Sequence, residues 1–129
     1  MIVDTSAVIA ILQDEPESPQ IRQAIEDDPI RLMSAATYLE ASMVVEARFG
    51  EAGGRELDLL LHVAQVEVVA VDREQAEVAR DGFRRFGKGR HRAALNFGDC
   101  ISYALAKVSG EPLLFKGADF THTDVESVI

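Results

Sequence analysis

Hydrophobic residues follow two different periods along this chain, and the two kinds of segment alternate. Short apolar runs of strand type cover 1–3, 30–34, 66–71 and 113–115, with a further candidate at 125–129. Between them, apolar residues at helical spacing predict helices over 5–13, 16–27, 37–49, 54–64, 73–86 and 96–108. Strands separated by helices favour a parallel sheet covered on both faces. The pattern therefore predicts an α/β fold.

Length and composition predict a single domain over residues 1–129. A chain of 129 residues that is 47% hydrophobic can sustain one core unaided. Its one cysteine, Cys100, cannot form an intrachain disulfide and is expected to pack in the core of a protein from a reducing compartment. The apolar stretch 6–12 is too short to span a bilayer and follows no basic segment. We therefore expect a cytoplasmic protein without a membrane partner.

Four carboxylates stand where predicted strands end or predicted helices begin: Asp4, Glu40, Asp99 and Asp119. A parallel sheet collects such positions along one edge, where its ligand crevices form. Carboxylates gathered without a cation repel one another, whereas Mg²⁺ or Mn²⁺ prefers oxygen ligands and keeps positions open for water and phosphate. Together the four acids suggest a divalent metal site suited to phosphodiester hydrolysis.

Each acid also has a purely structural explanation. Thr37 and Glu40 have the spacing of a capping box, Asp4 could cap a helix, Asp99 falls in a first helical turn, and Asp119 belongs to a glycine-containing turn. Asp72 serves as an internal comparison, because it also lies between a strand and a helix, at an expected sheet edge, and we assign it no chemistry. Position alone therefore does not distinguish a ligand from a cap.

Charge is unevenly distributed along the chain. The net charge of −9 argues against a general affinity for nucleic acid. Residues 84–92 nevertheless carry five Lys and Arg and no acid, with two glycines among them. Such a segment can hold a phosphate backbone, and it can equally be a solvated loop or face a protein partner. The charge pattern leaves these alternatives open.

Five sequence blocks, in order, resemble the motifs of PIN-domain ribonucleases, above all the VapC toxins of prokaryotic toxin–antitoxin pairs. The blocks are Ile2-Val-Asp-Thr-Ser-Ala, Ser34-Ala-Ala-Thr-Tyr-Leu-Glu-Ala, Arg85-Phe-Gly-Lys-Gly-Arg-His, Ala94-Leu-Asn-Phe-Gly-Asp-Cys and Leu113-Leu-Phe-Lys-Gly-Ala-Asp-Phe. The resemblance extends from Ile2 to about Asp124. Arg92 and Ala118 depart from it, where the family often has Pro and Asn, and neither departure removes a carboxylate.

The resemblance implies a three-layer fold whose central parallel sheet has about five strands in the order 3-2-1-4-5. It further implies that Asp4, Glu40, Asp99 and Asp119 form the catalytic site and bind Mg²⁺ or Mn²⁺, with Asp4 and Asp99 as the strongest candidates for direct ligands. The activity would be endoribonuclease cleavage that leaves 5′-phosphate and 3′-hydroxyl ends. The expected partners are RNA, a cognate antitoxin and a second copy of the chain in a homodimer.

Further residues receive secondary assignments. Substrate contacts are expected from Thr5, Ser6, Arg85, Lys88, Arg90 and His91, although helix capping is an alternative for Thr5 and Ser6. Asp124 could orient the acids as a second-shell carboxylate, or could cap a turn. Tyr38 and Phe97 could stack on a base, but core packing is the expected role.

Two other functional classes remain open at this point. A module that binds RNA or a protein partner without catalysis would retain the same fold. A metal-dependent phosphatase is disfavoured, because the Asp-x-Asp-x-Thr signature of one such class is absent and position 6 is Ser.

Overall fold

The computed structural model describes residues 1–129 as a parallel sheet between two helical layers. Four strands form the sheet, β1 (Ile2–Val3), β2 (Leu32–Ser34), β3 (Glu67–Val69) and β4 (Leu113–Leu114). The helices are α1 (Thr5–Leu12), α2 (Ser18–Asp27), α3 (Ala35–Phe49), α4 (Glu51–Val63), α5 (Arg73–Phe86) and α6 (Phe97–Ser109). A 3₁₀ turn spans Asp119–His122. The three-layer α/β fold is confirmed.

The strand order is β3-β2-β1-β4, with every neighbouring pair parallel. The expected fifth strand is reduced to one bridge beside β4, between Leu113 and Ser127. Leu113 N–H donates to the Glu126 carbonyl, and Val128 N–H donates to the Leu113 carbonyl. The C-terminal segment thus occupies the fifth position of the order 3-2-1-4-5, but too few residues pair for a strand.

Alternation along the short strands divides the hydrophobic core between the two faces of the sheet. Val3 and Leu114 pack with Val8, Val45 and other apolar side chains of α1 to α4. Ile2 and Leu113 point to the opposite face, where they pack against the α6 layer. Cys100 is a buried free thiol in this second layer, as expected.

Helix starts near the sheet are fixed by polar caps. Asp4 accepts from Ser6 N–H at the start of α1, and Asp72 accepts from Gln75 N–H at the start of α5, next to the edge strand β3. The predicted capping box of Thr37 and Glu40 is wrong. Ser34 caps α3, three residues before Thr37, and Thr37 is buried inside the helix.

Close contact between α5 and α6 depends on Gly82. A Cβ atom at this position would lie 2.6 Å from the Tyr103 ring, so only glycine allows this packing. α6 ends at Ser109 and is followed by Gly110, whose φ of 70° is the left-handed conformation common at helix ends. No helix of the structure combines the length and apolar character needed to cross a membrane.

Candidate functional site: an acidic cleft at the sheet edge

A cleft of about 360 Å³ opens beside the carboxyl end of β1, and we call it the acidic cleft. Three of the four candidate acids line it, Asp4 after β1, Glu40 in α3 and Asp99 in α6. Parallel strands and the helices that follow them bring these residues together from distant parts of the sequence. The structure therefore brings Asp4, Glu40 and Asp99 together in one cleft.

Asp4 is held rigidly at the floor of the cleft. Its side chain is buried, yet both carboxylate oxygens accept hydrogen bonds. Oδ2 accepts from Ser6 N–H (3.0 Å) and Ser6 Oγ (2.7 Å), and Oδ1 accepts from Ser102 Oγ (2.6 Å). Three donors offset the loss of hydration and fix the orientation of the carboxylate.

Ser102 was not identified from the sequence. It is fully buried, lies three residues after Asp99 on the same side of α6, and its hydroxyl is 3.4 Å from that of buried Thr37. The only sequence indication was a hydroxyl within the apolar run of residues 100–106. This pair of hydroxyls connects α3 and α6 to the Asp4 carboxylate.

Glu40 faces the first turn of α6. Its Oε1 accepts from Thr5 Oγ1 at 2.6 Å. Its Oε2 lies against Gly98, where an added Cβ would be only 2.0 Å away. The glycine before Asp99 therefore makes room for the Glu40 carboxylate.

Asp99 shows that the acids act on one another electrostatically. Its Oδ2 accepts from Asn96 N–H at 3.1 Å, and its own N–H donates to the Asn96 side chain in a capping box. Burial, chiefly, together with the charges of Asp4, Asp119 and Glu40, raises the pKa of Asp99 to about 6, against the lowering effect of the Asn96 hydrogen bond. The capping and electrostatic roles of Asp99 therefore coexist.

Asp119 lies at the margin of the group. It opens the 3₁₀ turn, is exposed, and does not line the cleft. Its charge nevertheless contributes to the raised pKa of Asp99. The structure thus places three acids in the cleft and the fourth within electrostatic reach.

Two cations that were not predicted from the sequence, Arg48 and Lys116, also line the acidic cleft. Lys116 forms ion pairs with Glu15 and, at 3.6 Å, with Glu17, and its backbone N–H donates to Ser6 Oγ. Arg48 lines the cleft without a carboxylate partner. A substrate phosphate near the acids would therefore meet one free positive charge.

The acidic cleft fits a divalent metal in the chemistry of its donors but not in their present arrangement. Its donors are carboxylate oxygens, the ligand type that Mg²⁺ and Mn²⁺ prefer, and their mutual repulsion would be relieved by a cation. No three of the His, Cys, Asp and Glu side chains are close enough in the structure to hold an ion together. Instead, hydroxyl groups of neighbouring residues donate hydrogen bonds to the carboxylate oxygens of Asp4 and Glu40. The chemistry of the donor set fits, whereas a coordination shell would require these side chains to turn.

Thr5 and Ser6 have different partners from those expected. Instead of pointing free hydroxyls at a substrate, they donate to Glu40 and Asp4, respectively. Ser6 Oγ also accepts from Lys116 N–H and so links the start of α1 to the segment after β4. These contacts position the carboxylates.

The basic segment divides into engaged and free cations. Arg85 forms ion pairs with Asp81 (3.6 Å) and Asp124 (3.3 Å), and His91 Nδ1 accepts from Ala93 N–H. Both side chains therefore have structural partners. Lys88 and Arg90 are exposed and form no ion pair. Of the four predicted contacts in this segment, these two are free to meet a phosphate.

Asp124 does not orient the acids. It accepts from Arg85 and from Lys107 Nζ (3.2 Å), and it does not line the acidic cleft. Burial alone would raise the pKa of Asp124, but hydrogen bonds from Tyr103 and Lys107 and two neighbouring positive charges hold it below its usual value. The expectation of a second-shell role is therefore corrected, because cations of α5 and α6 bind this carboxylate.

Phe97 is not a core residue, contrary to expectation. Its side chain is 81% exposed at the start of α6. Tyr38 is partly buried and donates its hydroxyl hydrogen to Asp58 on α4.

Comparison with known proteins agrees with the geometry. The PIN domain family model matches residues 1–126. Ribonuclease VapC30 of Mycobacterium tuberculosis is 62% identical over 128 residues, covering 99% of this chain and 98% of that protein. Ribonuclease VapC of Mycolicibacterium smegmatis is 63% identical and covers 99% of each chain.

Solved structures share the fold at low sequence identity. The crystal structure of VapC20 of Mycobacterium tuberculosis, a toxin that cleaves the sarcin–ricin loop, superposes with a TM-score of 0.77 at 18% identity, covering 96% of this chain and 95% of that one. VapBC2 of Rickettsia felis, bound to a DNA fragment from its promoter, gives a TM-score of 0.75 at 12% identity, covering 98% and 94%. Since the family model and the 62–63% identical relatives each span nearly the whole chain, the protein belongs to the PIN-domain family and, within it, to the VapC ribonucleases.

Proposed function

We propose that this protein is a metal-dependent endoribonuclease, the toxin of a toxin–antitoxin pair, that hydrolyses RNA phosphodiester bonds in the acidic cleft. The observation that carries the proposal is the convergence of Asp4, Glu40 and Asp99 on one cleft, where their charges help to raise the pKa of Asp99. Such repulsion is a cost to the metal-free protein that a bound cation removes. The ribonuclease relatives supply the substrate class.

In this proposal Asp4 and Asp99 bind Mg²⁺ or Mn²⁺ directly, and Glu40 and Asp119 complete the set directly or through water. The ion, when bound, supplies Lewis acidity that activates a water molecule and offsets negative charge on the phosphate. Ser6 and Ser102 keep Asp4 oriented, and Thr5 does the same for Glu40. Arg48, Lys88 and Arg90 are the free cations that can hold the RNA backbone.

The test compares RNA cleavage by wild type, Asp4→Asn and Asp99→Asn, each with Mg²⁺ and with chelator. We expect both variants to lose cleavage by 100-fold or more, roughly the scale of removing one electrostatic contribution. Asp72→Asn is the matched control, because Asp72 also caps a helix after a strand but lies outside the cleft, and Asn keeps the cap.

Three outcomes would reject the proposed mechanism. The first is cleavage by wild type in chelator, and the second is full activity in both cleft variants. The third is RNA that is bound but left intact by wild type, which would indicate a binding module. Release of inorganic phosphate from small esters, without RNA cleavage, would indicate a phosphatase instead.

We further propose a cognate antitoxin that covers the acidic cleft in the cytoplasm. Several solved structures of this fold are toxin–antitoxin complexes, including one from Klebsiella pneumoniae. An Arg or Lys of the antitoxin would hydrogen-bond the cleft carboxylates and exclude metal. Ile9 and Leu12 are partly exposed and can receive apolar anchors, whereas Val8, also expected to contribute, is fully buried.

The same assembly is expected to contain a homodimer of this chain. Co-purification of the tagged protein from its native host, followed by native mass measurement, tests both partners. We expect two copies of the 14.1 kDa chain with a small second protein. A bare monomer would favour a nuclease that acts without an antitoxin.

A further inference from the structure

A second groove lies between α5 and α6, outside the acidic cleft. It has a volume of about 500 Å³ and is lined by Ala76, Ala79 and Phe83 of α5 and by Phe97, Cys100 and Ile101 of α6. Phe97 is 81% exposed and Phe83 40% exposed, so two aromatic rings stand open to solvent. We call this surface the aromatic groove.

Positive charge surrounds the aromatic groove. Arg80 lines it, and the Arg90 guanidinium lies 5.1 Å from the centre of the Phe83 ring. Neither arginine forms an ion pair, and the same holds for Arg84, one turn beyond Arg80 on α5. The neighbouring acids Glu77 and Asp81 are engaged by Arg73 and Arg85. Arg80, Arg84 and Arg90 therefore bring unpaired positive charge to this groove in a chain of net charge −9.

This charge distinguishes between the candidate occupants. In a two-fold dimer through this groove, the same cationic surface would face itself, and like charges across an interface are repulsive. A single RNA strand offers the opposite combination, since its phosphates are anionic and every base has a flat π-face. Arginines beside exposed aromatic rings match both features.

The position of the groove matches the path of a strand through the cleft. The first turn of α6 has Asn96 and Asp99 on the acidic cleft and Phe97 and Cys100 on the aromatic groove. Phe97 and Asp99 are separated by only about 3 Å along the helix axis. A strand with one phosphate at the acids can thus place a neighbouring base beside Phe97.

We propose that the aromatic groove binds an unpaired base of the RNA substrate, stacked on Phe97 next to the Arg90–Phe83 pair, while Arg80 and Arg90 hold the adjoining phosphates. This proposal rests on the proposed ribonuclease function and adds a base-binding site to it. It also assigns a role to part of the basic segment, because Arg90 belongs to that segment and lies beside the aromatic groove.

The test measures binding without cleavage, in chelator, with a fluorescent single-stranded RNA of ten nucleotides and an abasic ribose-phosphate oligomer of the same length. We expect Phe97→Ala to weaken RNA binding about 5- to 100-fold, the range for loss of one stacked base, and to leave abasic binding unchanged. Phe97→Trp should retain RNA affinity. Phe49→Ala, which removes another exposed phenylalanine at the end of α3, is the matched control.

A double variant, Arg80→Gln with Arg90→Gln, should weaken the binding of both oligomers. It should also reduce the salt dependence of binding by about one unit of slope per lost contact.

Equal effects of Phe97→Ala on binding of the RNA and of the abasic oligomer, or no effect on either, would overturn the proposal. The proposal would also be overturned if these variants lost the dimer or antitoxin co-purification while their RNA affinity stayed unchanged. That result would assign the groove to a protein partner. If wild type cleaves RNA while any of these results holds, the base site alone is rejected. If wild type neither binds nor cleaves RNA with Mg²⁺, the ribonuclease function falls as well.

Discussion

At the scale of single residues, the surroundings of Asp99 disfavour the charged form of its carboxyl group. Burial and three neighbouring acids raise its pKa to about 6, from a usual value of 3.8. Because the folded pKa lies above the unfolded one, the folded state binds the proton more tightly. The charged carboxylate therefore destabilises the fold above about pH 6, and this cost fades as the pH falls towards 4.

The first prediction follows from that sign. In chelator at pH 7.5, Asp99→Asn should be more stable than wild type by about 1 kcal/mol, a value reduced for the half-exposed position of the side chain. The amide still accepts from Asn96 N–H, so the capping box survives. Denaturant unfolding from pH 4 to pH 8 measures the difference, which should shrink at the acid end. A variant less stable than wild type at every pH would contradict this account of the cluster.

Residue types at strand ends could be predicted from sequence, but their hydrogen-bond partners could not. The acids Asp4, Glu40 and Asp99 were identified because position and chemistry agree. Ser102 was missed because it is 98 residues from Asp4 in sequence and only the folded chain brings the two together. Arg48 and Lys116 were missed for the same reason, since no local pattern marks a cation that lines an acidic cleft.

At the scale of elements, hydrophobic periodicity identified all six α-helices, while the starts of α2, α3 and α4 lie two or three residues from the predicted ones. Ser34 and Thr37 could each begin α3, and the earlier residue does so because Thr37 is buried against Ser102. The C-terminal segment does not form the expected fifth strand, for a different reason. Its β-prone residues are present, but the pairing with β4 amounts to a single bridge.

The second prediction concerns the approach of α6 to α3. Gly98→Ala should displace the Glu40 carboxylate, because the new Cβ would lie 2.0 Å from Oε2, at the far end of a flexible side chain. Alanine is the better helix former by about 1 kcal/mol, so the fold should tolerate the change while RNA cleavage falls at least tenfold. Gly54→Ala is the matched control, since its Cβ would meet the Glu46 carboxylate at 2.8 Å, outside the acidic cleft.

Thermal unfolding and RNA cleavage of the two glycine variants measure the effect. We expect Gly54→Ala to keep full activity with equal or higher stability. If Gly98→Ala is as active as wild type, Glu40 does not need its observed position for catalysis.

At the scale of the whole molecule, topology decided which charged residues meet. The basic segment contains no acid of its own, yet the fold pairs Arg85 with Asp81 and Asp124 and leaves Lys88 and Arg90 without an ion pair. Asp124 was considered as a carboxylate that orients the other acids. The chain instead turns back along β4, and this brings Asp124 to Lys107 of α6 and Arg85 of α5.

The third prediction separates the role of Asp124 from that of the acids in the cleft. Its lowered pKa means that its ion pairs add stability at neutral pH, which is lost below about pH 4 as the carboxylate is protonated. The pairs are partly exposed, so Asp124→Asn should lower the free energy of unfolding by less than about 1 kcal/mol at pH 7.5.

Mg²⁺ should still raise the melting temperature of Asp124→Asn as much as that of wild type. A ligand at 100 times its Kd adds about 2.7 kcal/mol to the stability of any fold with an intact site. Asp4→Asn should lose most of that Mg²⁺-dependent shift. Thermal unfolding with and without Mg²⁺ measures all three proteins, and a shift lost in Asp124→Asn but kept in Asp4→Asn would move the metal site to the C-terminal segment.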